Sequence, residues 1–175
     1  MRVLLKNGVI YDGLGGVEYA ADILIADDRI EAVAPELKAE DAEIIDLAGL
    51  AVAPGFIDTH SHSDLLAMTE PDIPAKILQG VTSEIVGQDG VGPAPLPPAY
   101  IDVWRKNIAA FDGDSDKLDW PAFGTLDGYL SQVEKAGPGV NIAALAPHGN
   151  IRLEAMGLEN RPPTAREMEQ MREIT

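Results

Sequence analysis

Short apolar runs separated by turn residues make up the first fifty positions of the chain. Two of the breaks carry hairpin signals, namely Asn7-Gly8 and the acidic segment at 27–29. Several short strands with turn residues between them are typical of a small β-sandwich or roll. The pattern therefore predicts a β-module over residues 1–51, with strands at 3–5, 9–11, 23–25, 30–33 and 44–47.

After residue 51 the pattern changes to β-type runs that alternate with helical periodicity. A short helix between the first two runs predicts a βαβ unit and hence a parallel sheet. The proline-rich segment 91–98 predicts an extended loop, within an insertion at about 91–140. We expect strands in the run that leads to His60, at 81–86 and at 141–146, and helices at 73–78, 99–111 and 125–135, with a last helix capped by Thr164 and Glu167.

Composition and charge narrow the class of protein. The 175 residues include 13 basic and 29 acidic side chains, a net charge of −16, which argues against binding to nucleic acids or anionic membranes. Cysteine is absent, and no apolar run has the length of a signal-peptide core or a membrane span. We expect a soluble, cytoplasmic protein. Residues 112–116 alternate aspartates but lack the glycine and glutamate of a calcium loop, so they predict a solvated acidic loop.

The chemistry of the chain concentrates at His60-x-His62, which follows the apolar residues Phe56 and Ile57. Residues two apart in a strand share a face, so the two imidazoles are predicted to converge where a buried strand meets solvent. Paired neutral imidazoles suit a divalent metal such as zinc. The alternative is a pair of polar residues that open a surface loop. The third histidine, His148, also follows a predicted strand, as does Asp89.

The segment Pro54-Gly55-Phe56-Ile57-Asp58-x-His60-x-His62 resembles the first-strand signature of the amidohydrolase superfamily. Later motifs resemble the D-aminoacylases, the N-acyl-D-amino-acid deacylases of that superfamily. The resemblance spans the whole chain and corresponds to the first third of such an enzyme. It implies the N-terminal part of a (β/α)8 metal-hydrolase barrel, in residues 52–175, preceded by half of a β-sandwich built from both chain ends. The later motifs are at 77–82, 87–90, 94–95, 120, 141–145, 148–152, 156–157 and 161–164.

The resemblance implies a metal site with His60 and His62 as ligands. Asp89 stands where the family commonly has a metal-binding cysteine, and a carboxylate also binds zinc or bridges two ions. We expect Asp89 to be the third ligand of one or two divalent ions, most simply zinc. The alternative is that Asp89 only makes hydrogen bonds within a turn.

Four further residues receive predicted roles beside these ligands. His148 either contacts substrate or orients a ligand, or else is a structural histidine under its loop. Asp58 is expected to support His60, and Asp64 to cap the helix that follows it. Arg152 is expected to anchor a loop, with a substrate carboxylate as the alternative partner.

The predicted barrel is incomplete in this chain. A (β/α)8 barrel takes at least about 200 residues, whereas only three barrel strands are predicted after residue 51. Three parallel strands leave an uncovered parallel edge. We therefore expect either a fragment of a longer chain or a companion polypeptide that completes the barrel, and an oligomer. By the family pattern the main catalytic carboxylate and further histidine ligands lie outside these residues.

These observations lead to the hypothesis of a metal-dependent amidohydrolase that hydrolyses a linear N-acyl amide of a D-amino acid with metal-activated water. One alternative is a cyclic amide or imide hydrolase of the hydantoinase or dihydroorotase kind, or a deaminase of the same superfamily. Another is a non-catalytic scaffold that has kept the fold and lost the chemistry.

Overall fold

The computed structural model describes residues 1–113 and 116–174, which form two compact units, Met1–Pro54 and Gly55–Thr175. Positions 114 and 115 of the predicted acidic loop lie outside the described residues. The first unit contains strands β1 Arg2–Ile10, β2 Tyr19–Ala26, β3 Arg29–Ala34, β4 Glu43–Asp46 and β5 Ala51–Val52. The second contains strands β6 Phe56–Asp58, β7 Val81–Val86 and β8 Asn141–Ala144, and helices α1 Leu66–Thr69, α2 Pro74–Ile77, α3 Ile101–Asp112, α4 Leu126–Ala136, α5 His148–Met156 and α6 Ala165–Ile174.

The first unit is one five-stranded sheet in the order β3-β2-β1-β4, with β5 also paired to β1. The pairs β1–β2 and β2–β3 are antiparallel, while β4 and β5 each run parallel to β1. The predicted hairpin is present, because Ala26 pairs with Arg29 across a two-residue connection. A single sheet is described here, so the sandwich stays a prediction.

The expected turn at Asn7-Gly8 is wrong, because β1 continues through it. Between Leu5 and Gly8 the pairing with β2 shifts register, so two residues of β1 face one of β2. Asn7 has a φ of 59°, and its amide donates a hydrogen bond of 2.9 Å to Asp22 Oδ1. That bond lowers the pKa of the buried Asp22, with help from Lys6. The left-handed residue therefore makes a β-bulge instead of a chain reversal.

The second unit is built on a parallel sheet in the order β6-β7-β8. The strands follow one another in chain order with helices between them, as consecutive βαβ units do. The predicted strands at 81–86 and near 141–146 and the three middle helices are confirmed in outline. The eight-stranded barrel stays a prediction, since three of its strands are described.

The first strand of this sheet was expected to be buried, and that expectation is wrong. Phe56 is 62% exposed and Ile57 is 63% exposed. In the described residues β6 pairs with β7 alone, and no described element covers the Phe56 and Ile57 side chains.

Helices and loops bury the core of the second unit. Thr125 caps α4 as predicted, its Oγ1 accepting a bond of 3.0 Å from the Gly128 amide. The predicted capping box of α6 is present, with the Thr164 amide donating to Glu167 Oε2 over 2.7 Å. The core consists of Leu65, Ala67, Ile73, Ala94, Leu96, Trp104, Ile108, Trp120, Phe123, Tyr129, Val133, Val140 and Leu153.

One helix, α5, was not predicted. The segment contains glycine at its second position, and its buried residues Asn150, Ile151 and Leu153 do not form a single apolar face. Asn150 is fully buried and donates from Nδ2 to the Gly92 carbonyl over 2.8 Å. The helix is therefore held by contacts with the proline-rich loop. Hydrophobic periodicity along the sequence does not predict such contacts.

A charge cluster around the buried Glu84 links α2 to the sheet. Lys76 Nζ lies 2.6 Å from Asp58 Oδ2 and 2.7 Å from Glu84 Oε1. The Glu84 side chain is fully buried, and its Oε2 has no hydrogen-bond partner among the described residues. Burial lowers the pKa of Lys76, but the two carboxylates outweigh that effect and raise the pKa above its ordinary value. Within residues 1–113 and 116–174, no helix has the length and apolar character that crossing a bilayer requires.

Replacing Lys76 is expected to be costly, because it leaves the buried Glu84 carboxylate without its cation. We expect Lys76→Met to lower the free energy of unfolding by about 3 kcal/mol, measured by urea denaturation of the intact protein. Adding Glu84→Gln should recover most of that loss. The exposed Lys106 provides the matched control, and Lys106→Met should change stability by less than about 0.5 kcal/mol. Equal effects of the two lysine substitutions would contradict this role of the cluster.

Candidate metal centre

The site lies where the first two strands of the parallel sheet end. Parallel strands bring their carboxyl ends to one edge, and β6 and β7 are paired directly, with Asp58 beside Glu84. The chain that leaves β6 at residues 59–64, here called the β6 loop, carries both histidines. The chain that leaves β7 at residues 87–90, here called the β7 turn, carries Asp89. In open and closed α/β sheets this edge is where ligands bind.

Three side chains converge at this edge. The Nε2 atoms of His60 and His62 lie 3.3 Å and 3.2 Å from Oδ2 of Asp89. Their ligand atoms all lie within 4.8 Å of one another. Because β6 ends at Asp58, the convergence comes from the loop conformation and not from alternation along a strand. The His60 and Asp89 side chains are about 60% exposed, so the cluster is open to solvent.

The donor set and its spacing fit a divalent cation. Zinc binds imidazole nitrogen and carboxylate oxygen at about 2.0–2.2 Å, which places ligand atoms of a tetrahedral site about 3.4 Å apart. The two nitrogen–oxygen separations are close to that value. Without a cation, both imidazoles would have to donate to the same carboxylate oxygen. The three residues therefore suit an ion with nitrogen and oxygen ligands.

The backbone of the β7 turn explains why Asp89 points at the histidines. Asp89 has a φ of 56°, a left-handed conformation that aspartate and asparagine tolerate better than most residues. Gly87 has a φ of 76°, and a side chain there would meet the Leu145 carbonyl at 2.7 Å. The described contacts of the Asp89 carboxylate go to the two imidazoles and not to amides of its own turn. The alternative of a purely local turn residue is therefore not favoured.

Asp58 contacts the backbone of His60 and not its ring. Its Oδ1 accepts a hydrogen bond of 3.2 Å from the His60 amide, and its Oδ2 accepts one of 2.6 Å from Lys76. The Lys76 ammonium and then the His60 amide lower the pKa of Asp58, which keeps it ionised. Its support for His60 thus acts through the main chain.

Asp64 does not cap the following helix, so that expectation is wrong. The residue before α1 is Leu65, and no side chain caps it. Asp64 is 1% exposed, and its Oδ1 accepts a hydrogen bond of 2.9 Å from the Gly87 amide. Burial raises the pKa of Asp64 to about 6, although the Gly87 amide opposes that rise. The phenol of Tyr129 donates to the Asp64 carbonyl over 2.9 Å, which fixes the main chain as well.

Gln88 is a residue of this region that the sequence reasoning missed. It is 8% exposed, and its Nε2 donates to the Thr59 carbonyl over 2.9 Å and to the Ile85 carbonyl over 3.0 Å. One signal was available in the sequence, because Gln88 and Asp64 are polar residues next to predicted ligands and beside apolar runs. Nothing in the spacing indicates that they contact the neighbouring segment.

His148 lies beside the β7 turn but outside the cluster of three. It is the exposed first residue of α5, and its Cβ lies 3.7 Å from where a side chain at Gly90 would begin. A Cβ atom at Gly149 would lie only 2.6 Å from the Gly90 carbonyl oxygen. The absence of a side chain at Gly149 therefore allows α5 to pack against the β7 turn. The metal-ligating group among the described residues contains His60, His62 and Asp89.

Arg152 anchors a loop, as expected. Its Nη2 donates to the Glu159 carbonyl over 3.1 Å and to the Arg161 carbonyl over 2.7 Å. The segment after α5 is therefore tied back to that helix. The two described hydrogen bonds of the guanidinium go to this segment and not to the three-residue cluster.

Comparisons with known proteins show which proteins this chain is similar to. N-acyl-D-glutamate deacylase of Alcaligenes xylosoxydans xylosoxydans is 37% identical over 173 residues, which are 98% of this chain and 33% of the relative. The crystal structure of N-acyl-D-glutamate deacylase from Bordetella bronchiseptica, complexed with zinc and a phosphonate mimic of the tetrahedral intermediate, superposes with a TM-score of 0.85. It is 35% identical and matches 98% of this chain and 35% of its own.

A structure of D-aminoacylase, a protein described with a binuclear metal centre, matches with a TM-score of 0.81 and 34% identity, over 98% of this chain and 35% of its own. The chain thus spans about a third of the length of these relatives. A sequence profile described as "Amidohydrolase family" matches residues 43–175. The chain therefore belongs to the amidohydrolase family, and it resembles the N-terminal region of the N-acyl-D-amino-acid deacylases.

Proposed function

We propose that this chain supplies part of the metal centre of an amidohydrolase that hydrolyses N-acyl-D-amino acids. The observation that carries the proposal is the convergence of His60, His62 and Asp89 from two adjacent strand ends. It is supported by relatives over 98% of the chain that are named as deacylases of such substrates, one of them complexed with zinc.

Each of the three residues has a defined part in holding the ion. Neutral His60 and His62 offer the lone pairs of Nε2, and ionised Asp89 offers Oδ2 and brings one negative charge. When bound, a divalent cation at such a site polarises a carbonyl and lowers the pKa of a water toward neutrality. We propose one or two ions, most simply zinc, in keeping with the binuclear centre described for D-aminoacylase.

The charged residues next to the proposed ligands have other partners and are not directed at the metal site. The Lys76 ammonium pairs with both Asp58 and Glu84, so those two carboxylates are directed at a lysine and not at the three-residue cluster. Asp58 holds the main-chain amide of His60 and leaves the ring nitrogen free for a metal. This division favours a single binding point at the loop edge over a diffuse acidic surface.

His148 is proposed to act on the substrate side of the site. It is exposed beside the β7 turn and has no place among the three ligands. An imidazole there can donate to or accept from a substrate carbonyl or orient a ligand. Its removal should therefore affect turnover more than metal content.

The remaining parts of the active site are proposed to lie outside these residues. The chain spans about a third of its relatives, so further histidine ligands and the catalytic carboxylate belong to the other two thirds. We predict that a companion polypeptide or a further segment supplies them. An oligomeric assembly is also a prediction.

Removing the imidazoles should abolish metal binding in the intact protein. We expect the double substitution of His60→Ala and His62→Ala to eliminate bound zinc, measured by elemental mass spectrometry after dialysis. Hydrolysis should fall at least about a thousandfold, since the ion supplies several kcal/mol of transition-state stabilisation. Asp89→Ala should also lower metal content, because it removes the only carboxylate of the cluster.

The third histidine is the matched control for that experiment. His148→Ala should retain the wild-type metal content while it lowers turnover. Retained zinc in the double variant, or equal loss of zinc from the His148 variant, would contradict the assignment of ligands.

The substrate class can be tested with a panel of amides. We expect the intact, metal-loaded protein to hydrolyse N-acetyl-D-glutamate or another N-acetyl-D-amino acid faster than its L-enantiomer, with release of acetate measured over time. Dihydroorotate, a hydantoin and a cyclic imide serve as the competing substrates. Preferred hydrolysis of a cyclic amide would replace the deacylase proposal, and a metal-loaded protein inactive on every compound would favour the scaffold.

A further inference from the structure

The two segments that carry the candidate ligands are tied together by side chains that are not ligands themselves. The β6 loop carries two histidines and the β7 turn carries Asp89. The His60 and Asp89 side chains are largely exposed, and the His62 side chain is partly exposed. Exposed side chains on two separate segments gain little position from their own packing. A precise site at this edge therefore needs contacts that fix one segment against the other.

The first such contact runs from the β6 loop to the β7 turn. Asp64, two residues after His62, accepts a hydrogen bond of 2.9 Å from the amide of Gly87, two residues before Asp89. Gly92 also lies close to this carboxylate, since a Cβ atom at that position would be 3.4 Å from Asp64 Oδ1, and Asp64 is 1% exposed. The acceptor is therefore enclosed, and a buried charge-assisted bond of this kind is stronger than one at the surface.

The second contact runs in the opposite direction. Gln88, directly before Asp89, donates from Nε2 over 2.9 Å to the carbonyl of Thr59, directly before His60. The same amide also donates to the Ile85 carbonyl at the end of β7. Both protons of the amide are thus used, and they join the start of the β6 loop to the strand that leads to the turn.

We propose that Asp64 and Gln88 are positioning residues, which hold the β6 loop and the β7 turn in the register that brings His60, His62 and Asp89 to a common point. The inference rests on the proposed metal site. The two contacts bracket the histidine pair, since one precedes His60 and the other follows His62. A backbone bond of 3.1 Å from the Ser61 amide to the Ile85 carbonyl also joins the β6 loop to strand β7.

The physical effect is preorganisation. A site whose ligands are already aligned does not lose the conformational entropy of ordering two loops when the ion binds. Without the clamp, the same three ligands remain in the chain, but part of the binding free energy is spent on assembling them. Contacts that orient metal ligands typically change metal affinity by about 10–100-fold when they are removed.

The test compares zinc affinity with the stability of the metal-free protein. In the intact protein, Gln88→Met keeps the length of the side chain and removes both hydrogen bonds, while Asp64→Ala removes the acceptor for Gly87. Asp64→Asn keeps an acceptor oxygen and serves as the conservative rescue. The control is Thr164→Ala, which removes the hydroxyl bonds that cap α6, and the described bonds of that hydroxyl reach neither segment. Zinc dissociation constants are measured by competition with a chelating dye, and thermal unfolding is measured on the metal-free protein.

We expect Gln88→Met and Asp64→Ala to weaken zinc binding by about 10–100-fold. Asp64→Asn should retain most of the affinity, and Thr164→Ala should lower thermal stability with unchanged affinity. The proposal would be overturned if Gln88→Met and Asp64→Ala bound zinc with wild-type affinity. It would also be overturned if, across all four variants, the loss of zinc affinity were proportional to the loss of thermal stability. If Asp64→Ala does not fold, Gln88→Met decides the outcome alone.

Failure of the metal site itself gives a different result. If the wild-type protein binds no zinc, or binds it as well after His60→Ala and His62→Ala, the proposed function and this inference are both overturned. If the wild type binds zinc through those histidines and the clamp variants bind it equally well, only the clamp is overturned.

Discussion

The parallel pairing of β6 with β7 is the constraint from which the site follows. Because the two strands run in the same direction and in register at Asp58 and Glu84, the residues that leave them emerge at one edge of the sheet. His60 and His62 come from the first strand end and Asp89 from the second, so ligands 27 and 29 positions apart meet within hydrogen-bond distance. Loss of that pairing would separate the ligands without altering any of them.

Charge is distributed around this edge in a way that suits a cation. Lys76 pairs with the partly buried carboxylate of Asp58 and the buried carboxylate of Glu84, whereas the Asp89 carboxylate faces solvent and contacts the two imidazoles. The Asp89 carboxylate is therefore directed at the place where an ion can be held. The strongly acidic chain thus has a specific local feature that its overall charge does not reveal.

Sequence alone predicted the parts of this picture that depend on local signals. The place of the histidine pair just after a strand, the turn that carries Asp89 and the strand at 81–86 follow from the apolar run, from the glycines of the turn and from β-branched composition. Contacts between distant segments were not predictable in the same way. Asn7 bulges because of Asp22, helix α5 is held by Asn150 against another loop, and Asp64 bonds to the next turn and caps no helix. In each case a distant partner decides between two locally acceptable structures.

The central claim is that these three side chains bind one cation together. The most direct measurement is X-ray diffraction from crystals of the intact protein grown with zinc, with data collected on both sides of the zinc absorption edge. The account predicts an anomalous peak within about 2.0–2.2 Å of Nε2 of His60, Nε2 of His62 and a carboxylate oxygen of Asp89. Zinc bound elsewhere, with the two imidazoles still bonded to Asp89 alone, would contradict it.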